Sequence, residues 1–374
     1  MIVRDIQKVI EKRLNDSKAI ILIGPRQVGK TTLLQEITKK KKNVIYLNGD
    51  DIEVREMLTK TSATKLRKYL GESKILVLDE AQRIENIGLC LKIITDNLKD
   101  IKVLATGSSS FELANKINEP LTGRKWEFNL LPISFAEMAT HTSLIEEKAS
   151  IDHRLVYGYY PDVINHPGSE KEILSQLASN YLYKDILTWE RIQKPDRLER
   201  LVQALAFQVG SLVSYHELGQ IAGLNSETVE HYINLLEKSY VVFRLGSFSR
   251  NLMNELKKSR KIYFYDNGLR NALINQFNPL TLRSDSGALW ENFLMAERAK
   301  FHCNHLHKSN RFFWRNTAQN EIDYIEEYDG EIHAYEFKYA KSQTKYKFPR
   351  AFTEAYQPLS AAVINRENFE DFIL

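Results

Sequence analysis

Cysteine is nearly absent from this chain. Its 374 residues hold two, Cys90 and Cys303, far apart and without ligand spacing. That excludes a disulfide framework and suits a reducing compartment, so a cytoplasmic location is expected. Long apolar runs are also missing, which argues against a transmembrane helix and a membrane partner. The opening "MIVRDIQKVIEKRL" is amphipathic and mixed in charge; it lacks the apolar core and small-residue cleavage site of a secretory leader. Charge of one sign is lacking too. The 52 basic and 48 acidic residues leave a net +4, which by itself announces no nucleic-acid partner. What is present is an ordinary soluble composition, 43% apolar and 27% charged, in a chain long enough for about two to four domains.

The sharpest signal is "AIILIGPRQVGKTTLLQEI". Ala19–Ile23 reads as a buried strand, and a helix follows from Thr32. Between them Gly24, Pro25, Arg26, Gln27, Val28, Gly29, Lys30 and Thr31 match G-x-x-x-x-G-K-[ST], and strand, loop, helix is the context that a phosphate loop requires. Glycines let the backbone wrap close to phosphate, and the loop amides and helix N-terminus offer donors. Lys30 is expected on the β- and γ-phosphates of a nucleotide, Thr31 on Mg²⁺, and Thr32 at the edge of the nucleotide site. "KILVLDEAQ" is an apolar strand ending in Asp79, a second Mg²⁺ ligand, and Glu80, which can polarise an attacking water. "IKVLATGSSS" is a further strand. Thr106 or Ser108 at its end is either a γ-phosphate contact or a helix cap.

"GPRQVGKTT", "ILVLDEAQ", "TGSSS" and "LTGRKWEFNLLPISFAE" together resemble the prokaryotic AAA-type (AAA+ superfamily) ATPases that carry a C-terminal domain of unknown function. The resemblance extends over nearly all of the chain. It implies ATP rather than GTP and a five-stranded parallel sheet whose sensor strand separates the phosphate-loop strand from the Asp79 strand. It also implies an arginine-finger role for Arg124, acting on a neighbouring copy in a homo-oligomer; the alternative is a surface salt bridge. Where the family usually has Gly-Gly-aromatic-Pro, this chain has Gly158-Tyr159-Tyr160-Pro161. The helical stretch after it resembles a lid, in which Lys184 is expected to be solvated rather than a second sensor.

"RLERLVQALAFQVG", "SYHELGQIAG" and "NSETVEHYINLLEKSYVVFRL" read as helix, helix, helix, strand, a winged helix-turn-helix. Asn225 or Ser226 is expected to cap the third helix, with Val229, Ile233 and Leu236 on one face. Its outward Glu227, Glu230 and Glu237 disfavour base readout. The following wing, 244–261, carries Arg244, Arg250, Lys257, Lys258, Arg260 and Lys261 against Glu255. It is either a phosphate-backbone contact for DNA or an ordinary solvated basic face.

In "NEIDYIEEYDGEIHAYEFKYA", Asp329-Gly330 is the favoured centre of a tight hairpin turn. Tyr328 then faces Glu331, and Asp323 faces Glu336. Facing carboxylates destabilise a bare sheet unless a divalent cation lies between them. Glu291 is a carboxylate on a largely apolar helical stripe and needs a partner. Glu291, Asp323, Glu336 and Lys338, in that order, resemble the PD-(D/E)XK nuclease superfamily, with Ile322 where a proline is usual. The resemblance implies a possible second divalent metal there and a C-terminal domain that meets DNA. "FHCNHLHK" is read as a polar strand with Cys303, His305 and His307 on one face and no established zinc spacing.

The expected fold is α/β: a P-loop parallel sheet in 1–138, a helical lid in 139–197, a winged helix-turn-helix in 198–265 and a small restriction-endonuclease-like domain in 266–374. The expected activity is Mg²⁺-dependent ATP hydrolysis on DNA or a DNA-associated complex. The alternatives are ATP-gated DNA cleavage and a nucleotide-driven switch that binds a protein partner.

Overall fold

A computed structural model describes residues 1–107, 117, 119–180, 195–250, 259–340 and 346–374. Ser108, Lys184, Glu255, Lys257 and Lys258 lie outside the described residues. The chain divides into two compact units, one built on Met1–Ile133 and the other on most of Ser134–Leu374.

The first unit holds β1 (Ala19–Ile23), β2 (Val44–Asn48), β3 (Ile75–Asp79), β4 (Lys102–Gly107) and β5 (Lys125–Asn129). They form one sheet in the order β2-β3-β4-β1-β5, parallel throughout. β4 separates β1 from β3, as expected. Every residue of β1 is fully buried, which is why the strand reads as an unbroken apolar run. Helices Lys30–Thr38 and Ile87–Asn97 pack on β4, burying Leu33, Leu34 and Ile37 from one and Cys90, Leu91 and Ile94 from the other. Parallel pairing brings the carboxyl ends of β1, β3 and β4 to one edge of the sheet.

The second unit opens with helix Phe135–His141, entered through a capping box between Ser134 and Glu137. Gly158 has φ +71, and a Cβ there would lie 2.1 Å from Asp266 Oδ1. The next residue, Tyr159, donates its backbone N–H to Asp266 Oδ2 at 2.7 Å. One glycine therefore suffices at this turn, and the tyrosine in the second position is buried.

Helix Pro195–Phe207, β6 (Leu212–Val213), helices Tyr215–Ala222 and Ser226–Lys238, β7 (Val242–Ser247) and β8 (Arg260–Phe264) follow. Asn225 caps the Ser226–Lys238 helix, its Oδ1 accepting from Thr228 N at 2.7 Å. Val229, Ile233 and Leu236 are fully buried. Helix Ser286–His305 then leads into β9 (Asn310–Arg315), β10 (Glu321–Tyr328), β11 (Glu331–Phe337) and β12 (Ser360–Ile364).

The seven strands form one sheet, β12-β11-β10-β9-β7-β8-β6. β7 and β9 pair in parallel at Gly246–Phe312 and Ser247–Phe313. A single sheet therefore crosses the 265/266 division drawn from the sequence. The β10–β11 hairpin turns at Asp329 and Gly330, both with positive φ, and Tyr328 pairs with Glu331 as the dipeptide predicts. Between Ile322 and Ile325 the register of β10 against β9 slips. This bulge contains Asp323, and bulges re-aim side chains in this way.

One expectation is overturned here. Residues up to His305 belong to the long helix, not to a strand, and Leu306 ends it in the left-handed region. His302 is buried and meets Glu326 at 2.6 Å. Polar residues at 302–307 carry no apolar period, so the strand reading rested on spacing alone. Among the described residues no group of three or more His, Cys, Asp or Glu is arranged to hold a metal, and no helix is long and apolar enough to cross a membrane.

Candidate functional sites

The loop after β1 is shaped by backbone geometry. A Cβ on Gly24 would lie 2.0 Å from Leu130 O, so only glycine fits. Gln27 and Gly29 both take positive φ and turn the chain into helix Lys30–Thr38. Arg4 braces the loop, donating to Val28 O at 2.9 Å and to Leu131 O at 2.7 Å. Lys30 is 5% exposed; its Nζ donates to Gly24 O at 2.9 Å and Pro25 O at 2.6 Å. The ammonium is thus held across the loop by two backbone carbonyls.

Thr31 Oγ1 donates to Asp79 Oδ2 at 2.7 Å. The other oxygen of Asp79 accepts from Thr106 Oγ1, and Thr106 Oγ1 in turn accepts from Glu80 N at 3.1 Å. Thr106 is fully buried and clamps Asp79 and Glu80 together, a role outside both readings weighed from the sequence. Glu80 sits at φ +50, uncommon for a non-glycine residue and a frequent sign of a functional position. Gln82 donates to Glu80 Oε2. Neither Arg4 nor Gln82 was singled out by sequence. Gln82 stood within the quoted motif, but Arg4 precedes it and has no local signal.

The set fits a nucleotide with Mg²⁺. A loop turned through positive φ at Gln27 and Gly29, a buried ammonium and a hydroxyl–carboxylate pair converge at the strand ends. Arg124 is not brought to this site. It precedes β5, whose first residue pairs with Ala19, at the far end of β1 from the loop and about 16 Å away at strand rise. There it donates to Asp96 Oδ1 at 2.7 Å and is 41% exposed.

The second unit brings two of the carboxy-terminal candidates, Glu291 and Asp323, to a residue counted elsewhere, and sets the Glu336–Lys338 pair beside Asp323. Lys261, from β8, is 3% exposed at its side chain; its Nζ lies 2.6 Å from Glu321 Oε1, 3.1 Å from Glu291 Oε1 and 3.8 Å from Asp323 Oδ1. Tyr263 OH also donates to Glu291 Oε1 at 2.6 Å. Asp323 Oδ2 accepts from Phe337 N at 2.9 Å. Lys338 Nζ lies 2.6 Å from Glu336 Oε1, while Glu336 Oε2 is buried with no hydrogen-bond partner. Burial holds the Glu291 and Asp323 carboxyls above their ordinary range. Burial and the neighbouring Asp323 push Glu336 up to about 7. Burial opposes the charge on Lys261, but Glu291, Asp323 and Glu321 outweigh it and hold its proton above the usual lysine range.

Three cations of the basic wing, Arg244, Arg260 and Lys261, are paired within the unit. Lys261 is no solvent-facing phosphate contact. Arg244 pairs with Glu237 and donates to Asn234 Oδ1 at 2.6 Å. Arg260 donates to Tyr215 OH at 2.8 Å and to Glu230 Oε1 at 3.2 Å. The acidic face of helix Ser226–Lys238 and these strand cations neutralise one another. Segment-by-segment charge counting cannot see such pairing.

Residues 16–139 match the family model described as a AAA domain. Residues 148–280 and 286–372 match two domains of unknown function, DUF8612 and DUF4143. The chain is 24% identical over 340 residues to an uncharacterized protein of Mycobacterium tuberculosis, covering 90% of this chain and 73% of that one. It is 24% identical over 278 residues to an uncharacterized protein of Haemophilus influenzae, covering 68% and 69%. Among solved structures, a Walker-type ATPase of Pyrococcus abyssi is similar at 14% identity with a TM-score of 0.49, over 72% of this chain and 95% of that one. The segment similar to the AAA domain contains the whole Gly24–Thr31 loop, Asp79, Glu80 and Thr106.

Proposed function

We propose that the first unit binds and hydrolyses ATP with Mg²⁺. The observation that carries this reading is the junction of Lys30, Thr31, Asp79, Glu80 and Thr106 at one edge of the parallel sheet. Bound Mg²⁺ would neutralise charge on the phosphate oxygens. Thr31 and Asp79 would hold it, their present hydrogen bond marking the place. Lys30 exchanges its two carbonyl partners for phosphate oxygens. Glu80 accepts the proton of the attacking water, while Thr106 and Gln82 fix its backbone and its carboxylate.

Element order supports reading 198–265 as a winged helix and 139–197 as the lid. An arginine-finger role for Arg124 requires a neighbouring copy and the release of Asp96. Glu291 on a helix, Asp323 on a bulge and Glu-x-Lys on the next strand support a PD-(D/E)XK-like arrangement in 266–374. For the effector, we weigh DNA against a protein partner. The internal pairing of Arg244, Arg260 and Lys261 favours the protein partner and a nucleotide-driven switch. The test is steady-state ATP hydrolysis with Mg²⁺. Lys30→Ala is expected to lower turnover at least ~100-fold, on the order of 3 kcal/mol of transition-state stabilisation. Turnover that survives this change refutes the site.

A further inference from the structure

A PD-(D/E)XK-like cluster implies a divalent metal on its carboxylates, and the residues present do not fit one. The place between Glu291, Glu321 and Asp323 is taken. Lys261 Nζ stands within 3.8 Å of Glu291, Glu321 and Asp323 together. Its side chain is 3% exposed, and the ring of Phe313 lies 5.7 Å away on a further side. A buried ammonium is stable only with paired counter-charge, and buried carboxylates only with a cation. Each side here satisfies the other. The backbone is built close around the pair. Gly210 has φ +74, and a Cβ on it would come within 3.2 Å of the Glu291 carboxyl.

We propose that Lys261 is the resident cation of this cluster. Its ammonium stands where a metal-dependent site would hold a divalent ion, and its removal opens a divalent-cation site on Glu291, Glu321 and Asp323. Three hard oxygen donors from three side chains are the ligand class that Mg²⁺ and Mn²⁺ take. Glu336 Oε2, buried without a partner, is a fourth oxygen beside Asp323. The consequence for activity is that the native chain does not cleave DNA by a metal-dependent route at this site. The inference does not depend on ATP hydrolysis.

The experiment uses the full chain with its P-loop metal position silenced by Thr31→Ala and Asp79→Ala. Mn²⁺ alone is titrated and followed by electron paramagnetic resonance, with melting temperature as a second readout. The background chain is expected to show no saturable Mn²⁺ site below about 1 mM. Adding Lys261→Ala is expected to create one Mn²⁺ site per chain, to make melting Mn²⁺-dependent, and to lose both when Asp323→Asn is added. Lys261→Gln, one bond shorter than lysine but still a hydrogen-bond donor, is carried alongside in case alanine leaves the core unstable. Mn²⁺ binding by the background chain that Asp323→Asn abolishes would overturn the proposal. So would folded Lys261 variants that take up no Mn²⁺, or failure of both variants to fold in its presence.

Discussion

Glu336→Gln isolates the electrostatic cost built into the C-terminal hairpin. The folded state raises the Glu336 carboxyl from 4.5 to about 7, by burial and then by Asp323. A folded-state pKa above the unfolded value means that the folded chain binds the proton more tightly. The stabilisation is then fully present below pH 4.5 and is lost as pH rises through about 7. At ~1.4 kcal/mol for each tenfold change in proton affinity, the ceiling is ~3.4 kcal/mol. Lys338, 29% exposed, lets water reach the pair, so about 2 kcal/mol is the reasonable expectation. Glutamine keeps the acceptor for Lys338 and cannot ionise. Urea unfolding is followed by tryptophan fluorescence from Trp290 and Trp314 between pH 5 and pH 8.5. The native chain should lose about 2 kcal/mol relative to Glu336→Gln over that interval. Curves that stay parallel across the whole range would refute the placement of a raised carboxyl beside Asp323.

Two further outcomes follow from hydrogen bonds. Thr106→Val keeps shape but removes the hydroxyl between Asp79 and Glu80, and should lower ATP turnover by roughly 10- to 100-fold with little change in ATP binding; single-turnover and binding assays separate the two. Arg298 holds the fully buried Glu326 through two bonds of 2.7 Å, and Arg298→Met should cost about 1.5–3 kcal/mol because the buried carboxylate loses its guanidinium and keeps only His302 and the Tyr324 hydroxyl, read as a lower urea midpoint.

Legibility in the sequence tracked how local each feature is. The phosphate loop is contiguous, so glycine placement, lysine and hydroxyl were all readable within one stretch. The hairpin register was readable because Asp329-Gly330 fixes the turn and period two does the rest. Glu291 was readable as a residue in need of a partner, but its partner was not. Lys261 stands on another strand, and only the fold brings it to Glu291, Glu321 and Asp323. For the same reason the pairing of Arg244 with Glu237 and of Arg260 with Glu230 is not legible in the sequence. Thr106 was placed at the right strand end, yet its clamp on Asp79 needs the order β3-β4-β1. The boundary at 265/266 failed to anticipate one sheet because β7–β9 pairing leaves no sequence trace.

The most direct measurement of the central claim is Glu80→Gln in a paired binding and turnover assay with ATP and Mg²⁺. Glutamine keeps the side chain's shape and hydrogen bonding but cannot accept the water's proton. The account predicts ATP affinity close to the native chain's and phosphate release lowered at least ~100-fold. Native-rate phosphate release from Glu80→Gln would contradict it.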